Sequence, residues 1–137
     1  MIFIDTGAFV ARFLERDQYH ARAIEVWRDL EQAKLQCVTS NFVVDETLIL
    51  LARKASYEFA FERAQNLYDS TNVRILRPTE ADELAAIMNF GKFADQKVSF
   101  TDCVSFALMK RHGLGDVFTF DRHFALAGFH SRPLALP

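Results

Sequence analysis

The chain has few of the residues that mark secreted or membrane proteins. It has two cysteines, three prolines and five glycines in 137 residues. Cys37 and Cys103 lie in apolar surroundings, which predicts buried free thiols rather than a disulfide framework or a zinc site. No apolar stretch reaches the ~20 residues that cross a bilayer, and Asp5 interrupts the first apolar run, so no signal peptide is visible. The composition predicts a cytoplasmic protein with a single domain over residues 1–137.

The chain also lacks the excess of positive charge that a broad nucleic-acid-binding surface needs. Its 16 basic residues oppose 18 acidic ones, for a formal net charge of −2. Any polyanion would therefore have to be held by a local basic patch and by a bound cation. What the chain has in excess is phenylalanine, with 14 residues, which can supply a core or a partner interface.

Short apolar segments alternate with helical ones along the chain. Strands are predicted at 2–5, 37–39, 73–76, 117–120 and 132–136, and helices at 6–14, 20–34, 42–55, 57–70, 80–90 and 99–112. This alternation predicts an α/β fold, with a parallel sheet covered by helices on both faces. The helix at 42–55 is apolar nearly all round, so we expect it to be central. Ligands of such sheets bind beyond the carboxyl ends of the strands, where the strand order reverses.

Four acids lie where a carboxylate is hard to accommodate. Asp5 and Asp121 each follow an apolar strand, Asp102 begins an apolar helix, and Glu46 interrupts the apolar run at 42–52. Burying a carboxylate without a partner costs free energy. One divalent cation bound by all or most of the four would explain them together. The all-oxygen ligand set favours Mg²⁺ or Mn²⁺ over Zn²⁺.

Each acid also has a structural alternative. The three aspartates can cap helices, and Asp102 stands three residues after Ser99 in the S/T-x-x-D pattern of a helix start. Glu46 is the hardest to explain by structure alone, because its helix has hardly any polar stripe. Asp45 beside it is the candidate for the solvated position.

Residues next to these acids are candidates for supporting roles. Thr6 and Thr101 adjoin acids, and their hydroxyls can position water or phosphate, or simply cap a helix. Asp95 precedes the Ser99 segment and is either a loop carboxylate or a neighbour of the metal ligands. His123 lies two residues after Asp121 and is a weaker candidate for a contact with substrate.

Four segments together resemble the PIN domain, and within it the VapC-type toxins of bacterial and archaeal toxin–antitoxin pairs. They are Ile4-Asp5-Thr6, Ser40 to Thr47, Ser99 to Ala107 and Phe118 to Phe124. The resemblance covers essentially the whole chain. It implies a sheet of about five parallel strands in an α/β/α sandwich, and a Mg²⁺- or Mn²⁺-dependent ribonuclease that hydrolyses RNA phosphodiesters. The acids that the resemblance assigns to catalysis and metal binding are Asp5, Glu46, Asp102 and Asp121.

The resemblance also implies a small antitoxin as partner and a homodimer as the usual state. Phe9, Phe13 and Trp27 are the candidates for a groove that receives an antitoxin helix, with core packing as the alternative. The aromatic segment 57–61 holds more rings than one helix face needs, so it is a further candidate interface.

Basic residues would guide the RNA backbone. Arg12 and Arg16 lie one turn apart on the predicted first helix and are the best pair, and Arg122 adjoins the fourth acid. For most basic residues a solvated surface remains the alternative. The other candidates are Arg53, Lys54, Lys92 and Lys97.

Other interpretations of the acids fit less well. A phosphatase with an aspartyl nucleophile needs a second aspartate two positions after Asp5, where this chain has Gly7. A Mg²⁺-binding receiver domain needs an aspartate after the middle strand, where this chain has Arg77-Pro78. A catalytically inactive PIN-like module that binds RNA is the alternative to an enzyme, and the intact acids argue against it.

Overall fold

Five parallel strands form one sheet in the computed structural model, which describes residues 1–133. The strands are β1 (Ile2–Ile4), β2 (Cys37–Ser40), β3 (Val73–Leu76), β4 (Asp116–Phe118) and β5 (His130–Arg132). Their order across the sheet is β3-β2-β1-β4-β5. The chain builds from β1 toward one edge and then resumes on the other side of β1, so the strand order reverses between β1 and β4.

Helices connect the strands. Their bounds are α1 (Thr6–Phe13), α2 (His20–Gln32), α3 (Asn41–Lys54), α4 (Tyr57–Asp69), α5 (Glu80–Lys92), α6 (Phe100–Arg111) and α7 (His123–Leu126), with a 3₁₀ turn at Ala94–Gln96. The predicted α/β fold, a parallel sheet flanked by helices, is confirmed. From residue 1 to residue 133, the length and hydropathy of every helix fall short of what a membrane span requires.

The central strands are buried because helices cover the sheet. Every residue of β1 and β2 is buried, as expected for parallel strands. All 14 phenylalanines lie within the described part of the chain, and only Phe61 and Phe90 are exposed. The phenylalanine excess therefore supplies mainly the core. Cys37 and Cys103 are buried and free, as predicted.

Helix α6, rather than α3, is the helix that the fold encloses. Every residue from Asp102 to Met109 is buried, whereas Ile49 on α3 is exposed. The prediction that the helix at 42–55 is central was wrong, because nothing in the described chain covers the outer face of α3 around Ile49.

The last two strands differ from their predicted bounds. Strand β4 was predicted to reach residue 120 but ends at Phe118. There the Thr119 hydroxyl accepts a hydrogen bond from the backbone N–H of Asp121, at 2.9 Å, and this turns the chain. Strand β5 was predicted at 132–136 and lies at His130–Arg132, and residues 134–136 are outside the described part.

A buried carboxylate joins α5 to α6. Asp82 forms a capping box with Thr79 at the start of α5, and its two oxygens accept hydrogen bonds from Nε of Arg111 at 2.8 and 3.0 Å. Burial raises the pKa of Asp82, but the hydrogen bonds from Arg111 and Thr79 outweigh it and leave the pKa below its ordinary value. The Asp82 carboxylate is thus satisfied by Arg111 and Thr79, and it serves the structure rather than the binding of a ligand.

We expect Arg111→Ala to lower the free energy of unfolding by about 2 kcal/mol, because it removes a charged hydrogen-bond donor from a buried carboxylate. Chemical denaturation measures this change. The control is Lys110→Ala, which alters an exposed neighbour. Equal stability of the two variants would contradict the structural role of the Asp82–Arg111 pair.

Candidate active site

The four predicted acids converge on one cavity of about 660 Å³. Asp5 follows β1, Asp121 follows the turn after β4, and Glu46 and Asp102 are carried by α3 and α6. The cavity lies at the carboxyl ends of β1 and β4, where the strand order reverses. This is the position that the sheet topology predicts for a ligand site.

Asp5 is buried and held by Thr119. The Thr119 hydroxyl donates to Asp5 Oδ2 at 2.7 Å while it accepts from the backbone N–H of Asp121. In the chain as described, the Asp5 side chain makes no capping hydrogen bond to α1, and its Oδ1 is buried without a partner. Asp5 therefore occupies the N-cap position of α1 without capping it through its side chain, and one of its oxygens is free to bind a ligand.

Thr119 was missed by the sequence analysis. The available signal was a hydroxyl residue at the end of a strand, two positions before an acid. Its contact with Asp5 spans 114 positions of sequence, so no local pattern shows it.

Asp102 is not the second half of a capping box. The Ser99 hydroxyl accepts from the backbone N–H of Asp102 at 3.1 Å and caps α6. The return bond that Asp82 makes to Thr79 has no counterpart from Asp102 among the described hydrogen bonds. The buried Asp102 carboxylate is thus left to face the cavity.

Asp102, Asp121 and His123 form the tightest group in the cavity. One potential ligand atom from each lies within 4.8 Å of the other two. His123 Nδ1 is 3.0 Å from Asp121 Oδ1 and 3.7 Å from Asp102 Oδ2. Asp121 Oδ1 also accepts from the backbone N–H of His123, the first residue of α7, at 2.8 Å. His123, a minor candidate by sequence, belongs to the site.

Asp45 is the solvated acid of α3 and Glu46 is the acid at the cavity, as the pattern of the helix predicts. Asp45 is exposed, while Glu46 is half-buried and lines the cavity. Glu46 is near enough to raise the pKa values of both Asp5 and Asp102 by repulsion. It is therefore a member of the acidic group.

Burial and crowding make two of these acids hard to ionise. Burial raises the pKa of Asp5 to about 7, with repulsion from Asp121 and Glu46 adding to it and hydrogen bonds to the carboxylate opposing it. Burial raises the pKa of Asp102 to about 9, together with repulsion from Asp5, Asp121 and Glu46. A cation among the carboxylates would stabilise their ionised forms, because it offsets both the loss of hydration and the mutual repulsion.

The donor set fits a hard divalent cation. The carboxylate oxygens are the ligands that Mg²⁺ and Mn²⁺ prefer. Within residues 1–133, Asp5 Oδ1 and His123 Nε2 are buried without hydrogen-bond partners. Buried polar atoms are rarely left unpaired, so these atoms are available for an added ligand.

The three predicted supporting residues have different outcomes. Thr6 is buried and lines the cavity, and its hydroxyl has no partner in the described residues. Thr101 and Asp95 are absent from the described residues that line the cavity. Asp95 lies on the 3₁₀ turn, which is exposed to solvent, and this position fits its interpretation as a loop carboxylate. The Thr101 carbonyl instead accepts from the Ser105 hydroxyl within α6.

The predicted Arg12–Arg16 pair does not form. Helix α1 ends at Phe13 and the backbone at Leu14 is extended, so Arg16 does not share a helix face with Arg12. Arg12 lines a separate cavity of about 720 Å³ at the amino ends of β2 and β3, where its guanidinium stacks 4.6 Å from the ring of Trp27. The cations that line the acidic cavity are Lys54, Lys97 and Arg122.

The predicted aromatic groove is largely core. Phe9 and Trp27 are buried, and the Trp27 indole N–H donates to the carbonyl of Ala8 at 3.1 Å. Phe13 is partly buried against the core. Core packing, the alternative to a groove, therefore describes Phe9, while Trp27 is buried but also lines the cavity of about 720 Å³ beside Arg12.

Comparisons with known proteins agree with this geometry. The PIN domain family model matches residues 2–129. The 23S rRNA-specific endonuclease VapC20 of Mycobacterium tuberculosis is 33% identical over 129 residues, which are 94% of this chain and 95% of that protein. The crystal structure of VapC20, described as a Sarcin-Ricin loop cleaving toxin, matches with a TM-score of 0.84 and 32% identity over 94% of this chain and 96% of its own.

Two more distant structures share the fold alone. FitAcB from Neisseria gonorrhoeae matches with a TM-score of 0.63 and 21% identity, over 96% of each chain. DNA-bound VapBC from Salmonella typhimurium matches with a TM-score of 0.69 and 11% identity, over 96% of this chain and 98% of its own.

Proposed function

Because this chain belongs to the PIN domain family, we propose that it is a metal-dependent endoribonuclease and the toxin of a VapBC-type toxin–antitoxin pair. The observation that carries the proposal is the convergence of Asp5, Glu46, Asp102 and Asp121 in one cavity from four separate segments. A relative at 33% identity is a 23S rRNA-specific endonuclease. This relationship supports RNA as the substrate.

The acids have distinct roles in the proposal. Asp5 and Asp102 are the principal metal ligands, since their burial and raised pKa values leave them most in need of a cation. Asp121, Glu46 and His123 complete the site. When bound, Mg²⁺ or Mn²⁺ supplies Lewis-acid stabilisation of charge on the reacting phosphate.

Other residues position the Asp5 carboxylate and attract the substrate. The Thr119 hydroxyl donates a hydrogen bond to the Asp5 carboxylate and so restrains its orientation. Lys54, Lys97 and Arg122 line the same cavity and provide positive charge where phosphates approach. Without them, the acidic group would repel the RNA backbone.

Incubation of the purified protein with ribosomal RNA tests the function. We expect discrete fragments in Mg²⁺ or Mn²⁺ and intact RNA in EDTA. Binding that is equally tight in EDTA, with no cleavage in either metal, would favour the inactive RNA-binding module and contradict the proposal.

We also propose that the chain forms a homodimer through the outer face of α5. Leu84, Ile87 and Met88 lie at helical spacing on this face and are 57, 53 and 75% exposed. A contiguous apolar surface of this kind marks a site of protein association. Phe90 on the same helix is also exposed and extends the apolar area.

Ile87→Asp is expected to give a monomer, because association would then bury an unpaired charge. Size-exclusion chromatography with light scattering measures the mass in solution. Tyr68→Asp is the matched control, since it places the same charge at an exposed aromatic residue of α4. A wild-type monomer, or an Ile87→Asp dimer, would contradict this interface.

The second partner in the proposal is a small antitoxin protein. Tyr57 and Phe61 lie one turn apart on α4, and both are exposed. The guanidinium of Arg63 lies 5.6 Å from the ring of Phe13, which places the partly buried Phe13 beside this helix. The exposed rings of α4 therefore replace Phe9 and Trp27 as the proposed apolar contact for an antitoxin.

A further inference from the structure

Two aromatic rings stand at the acidic cavity, and neither has a role in the chemistry described above. We propose that Tyr19 and Phe120 form a stacking platform for an unpaired nucleobase of the RNA substrate. This inference rests on the proposed ribonuclease function and adds the form of RNA that the cavity accepts, a single-stranded nucleotide.

The rings are arranged as a stack. Their centroids are 4.5 Å apart and their planes differ by 3°. Both residues line the cavity that holds the acids. Phe120 covers one face of Tyr19, and Tyr19 is nevertheless 42% exposed. An exposed aromatic ring beside a catalytic cavity offers a surface on which any base can stack.

Tyr19 is held in place before any ligand arrives. Its backbone N–H donates to Asp17 Oδ1 at 2.8 Å, and the N–H of His20 donates to the Asp17 carbonyl at 3.0 Å. His20 Nδ1 lies 2.7 Å from the carbonyl of Ala11, which ties the segment to α1. Because the loop is already ordered, stacking a base on Tyr19 costs little conformational entropy.

Phe120 connects the platform to the acids. It lies between Thr119, which binds Asp5, and Asp121. Its ring packs edge-to-face on buried Phe118, with centroids 5.8 Å apart. A base on Tyr19 is therefore backed, through Phe120, by the same short segment that holds Asp5 and carries Asp121, so its adjoining phosphate lies near the acids.

The charges of the cavity favour a nucleotide over an apolar peptide as the occupant. Lys54, Lys97 and Arg122 line the same cavity as the stack. Proteins that bind single-stranded nucleic acid place cations along the phosphate backbone and aromatic rings against the bases. This cavity has both. An apolar segment would meet the rings but leave these cations without partners.

The test uses a fluorescent base in a protein that cannot cut the probe. An oligoribonucleotide of about 10 nucleotides with one 2-aminopurine is titrated into Asp102→Asn protein in Mg²⁺. We expect binding with quenching of the 2-aminopurine fluorescence, because stacking on an aromatic ring quenches this base. Adding Tyr19→Ala is expected to abolish the quenching and weaken binding about 10-fold.

Further variants separate stacking from a structural role. Tyr19→Phe keeps a ring and is expected to keep both quenching and affinity, whereas Tyr19→Leu keeps apolar bulk and is expected to lose the quenching. Tyr68→Ala, which removes an exposed tyrosine of α4, is the control. Thermal melting verifies that each variant is folded.

The outcomes distinguish this inference from the proposed function. A Tyr19→Ala or Tyr19→Leu protein that binds and quenches the probe like its parent would overturn the platform, even if the wild type cleaves RNA. Failure of the parent to bind the probe would overturn it as well. Quenching that depends on the Tyr19 ring, in a chain that cuts no RNA, would support the platform and refute the nuclease.

Discussion

Asp102→Asn is expected to reduce RNA cleavage by about 10³-fold while the protein stays folded. Asp102 is buried and is repelled by Asp5, Asp121 and Glu46, which places it at the centre of the acidic group. The amide that replaces it carries no negative charge to hold a cation. Metal catalysis supplies several kcal/mol of stabilisation to a phosphoryl transition state, and each 1.36 kcal/mol is about tenfold in rate.

Initial rates of RNA cleavage at saturating Mg²⁺ measure this loss. Asp5→Asn is expected to behave in the same way, because Asp5 makes no helix cap in the described structure that its loss would break. Asp95→Asn is the matched control, since Asp95 is an exposed acid outside the cavity. Near-normal cleavage by folded Asp102→Asn would remove this residue from the mechanism.

The second large effect is expected on stability when divalent cations are absent. The pKa of Asp5 is raised from 3.8 to about 7, and that of Asp102 from 3.8 to about 9. Between pH 3.8 and each raised pKa, the folded state binds more protons than the unfolded state. The free energy of unfolding therefore falls as the pH rises through this range. The stabilisation is complete below the unfolded pKa of 3.8 and is lost as the pH passes through about 7 and then about 9.

Asp102→Asn is therefore expected to stabilise the metal-free protein at alkaline pH, by on the order of a few kcal/mol, because it removes a carboxylate that is costly to ionise. Thermal melting in EDTA across the pH range measures the effect. Mg²⁺ or Mn²⁺ should raise the wild-type melting temperature at high pH far more than that of the variant, since only the wild type keeps the full site.

The controls for stability differ from those for activity. Asp95→Asn should follow the wild-type pH profile, because Asp95 is exposed and lies outside the described lining of the cavity. Asp82→Asn should destabilise the protein, since Asp82 is paired with Arg111 and has a lowered pKa. A wild-type melting temperature that is unchanged by pH in EDTA, and also unchanged by either metal, would show that the acids are not crowded as described.

The contrast between Asp82 and Asp102 shows where sequence patterns lose power. Both aspartates stand three residues after a hydroxyl residue at a helix start. Asp82 completes its capping box and meets Arg111, whereas Asp102 leaves the box incomplete and faces other acids. The two aspartates share the same local sequence pattern. They differ in the charged residues that the fold places beside each carboxylate, a cation for Asp82 and other acids for Asp102.

Local sequence was sufficient for most of the elements and for suspecting the acids, but not for the bounds of β4 and β5. Strand β3 was predicted at its observed bounds, and the helix predicted at 57–70 spans Tyr57–Asp69. These features depend on hydrogen bonds and periodicity within a few residues. The four acids were recognisable because a carboxylate within an apolar run is an anomaly of local composition.

Only the tertiary structure decided how the site is built. It joined Thr119 to Asp5 across 114 positions, added His123 to the group of Asp102 and Asp121, and left Asp95 outside. Distances between remote residues depend on strand order and helix packing, which no window of sequence contains. The sequence determined which carboxylates are unfavourable to bury, and the fold determined which of them lie close enough to repel one another.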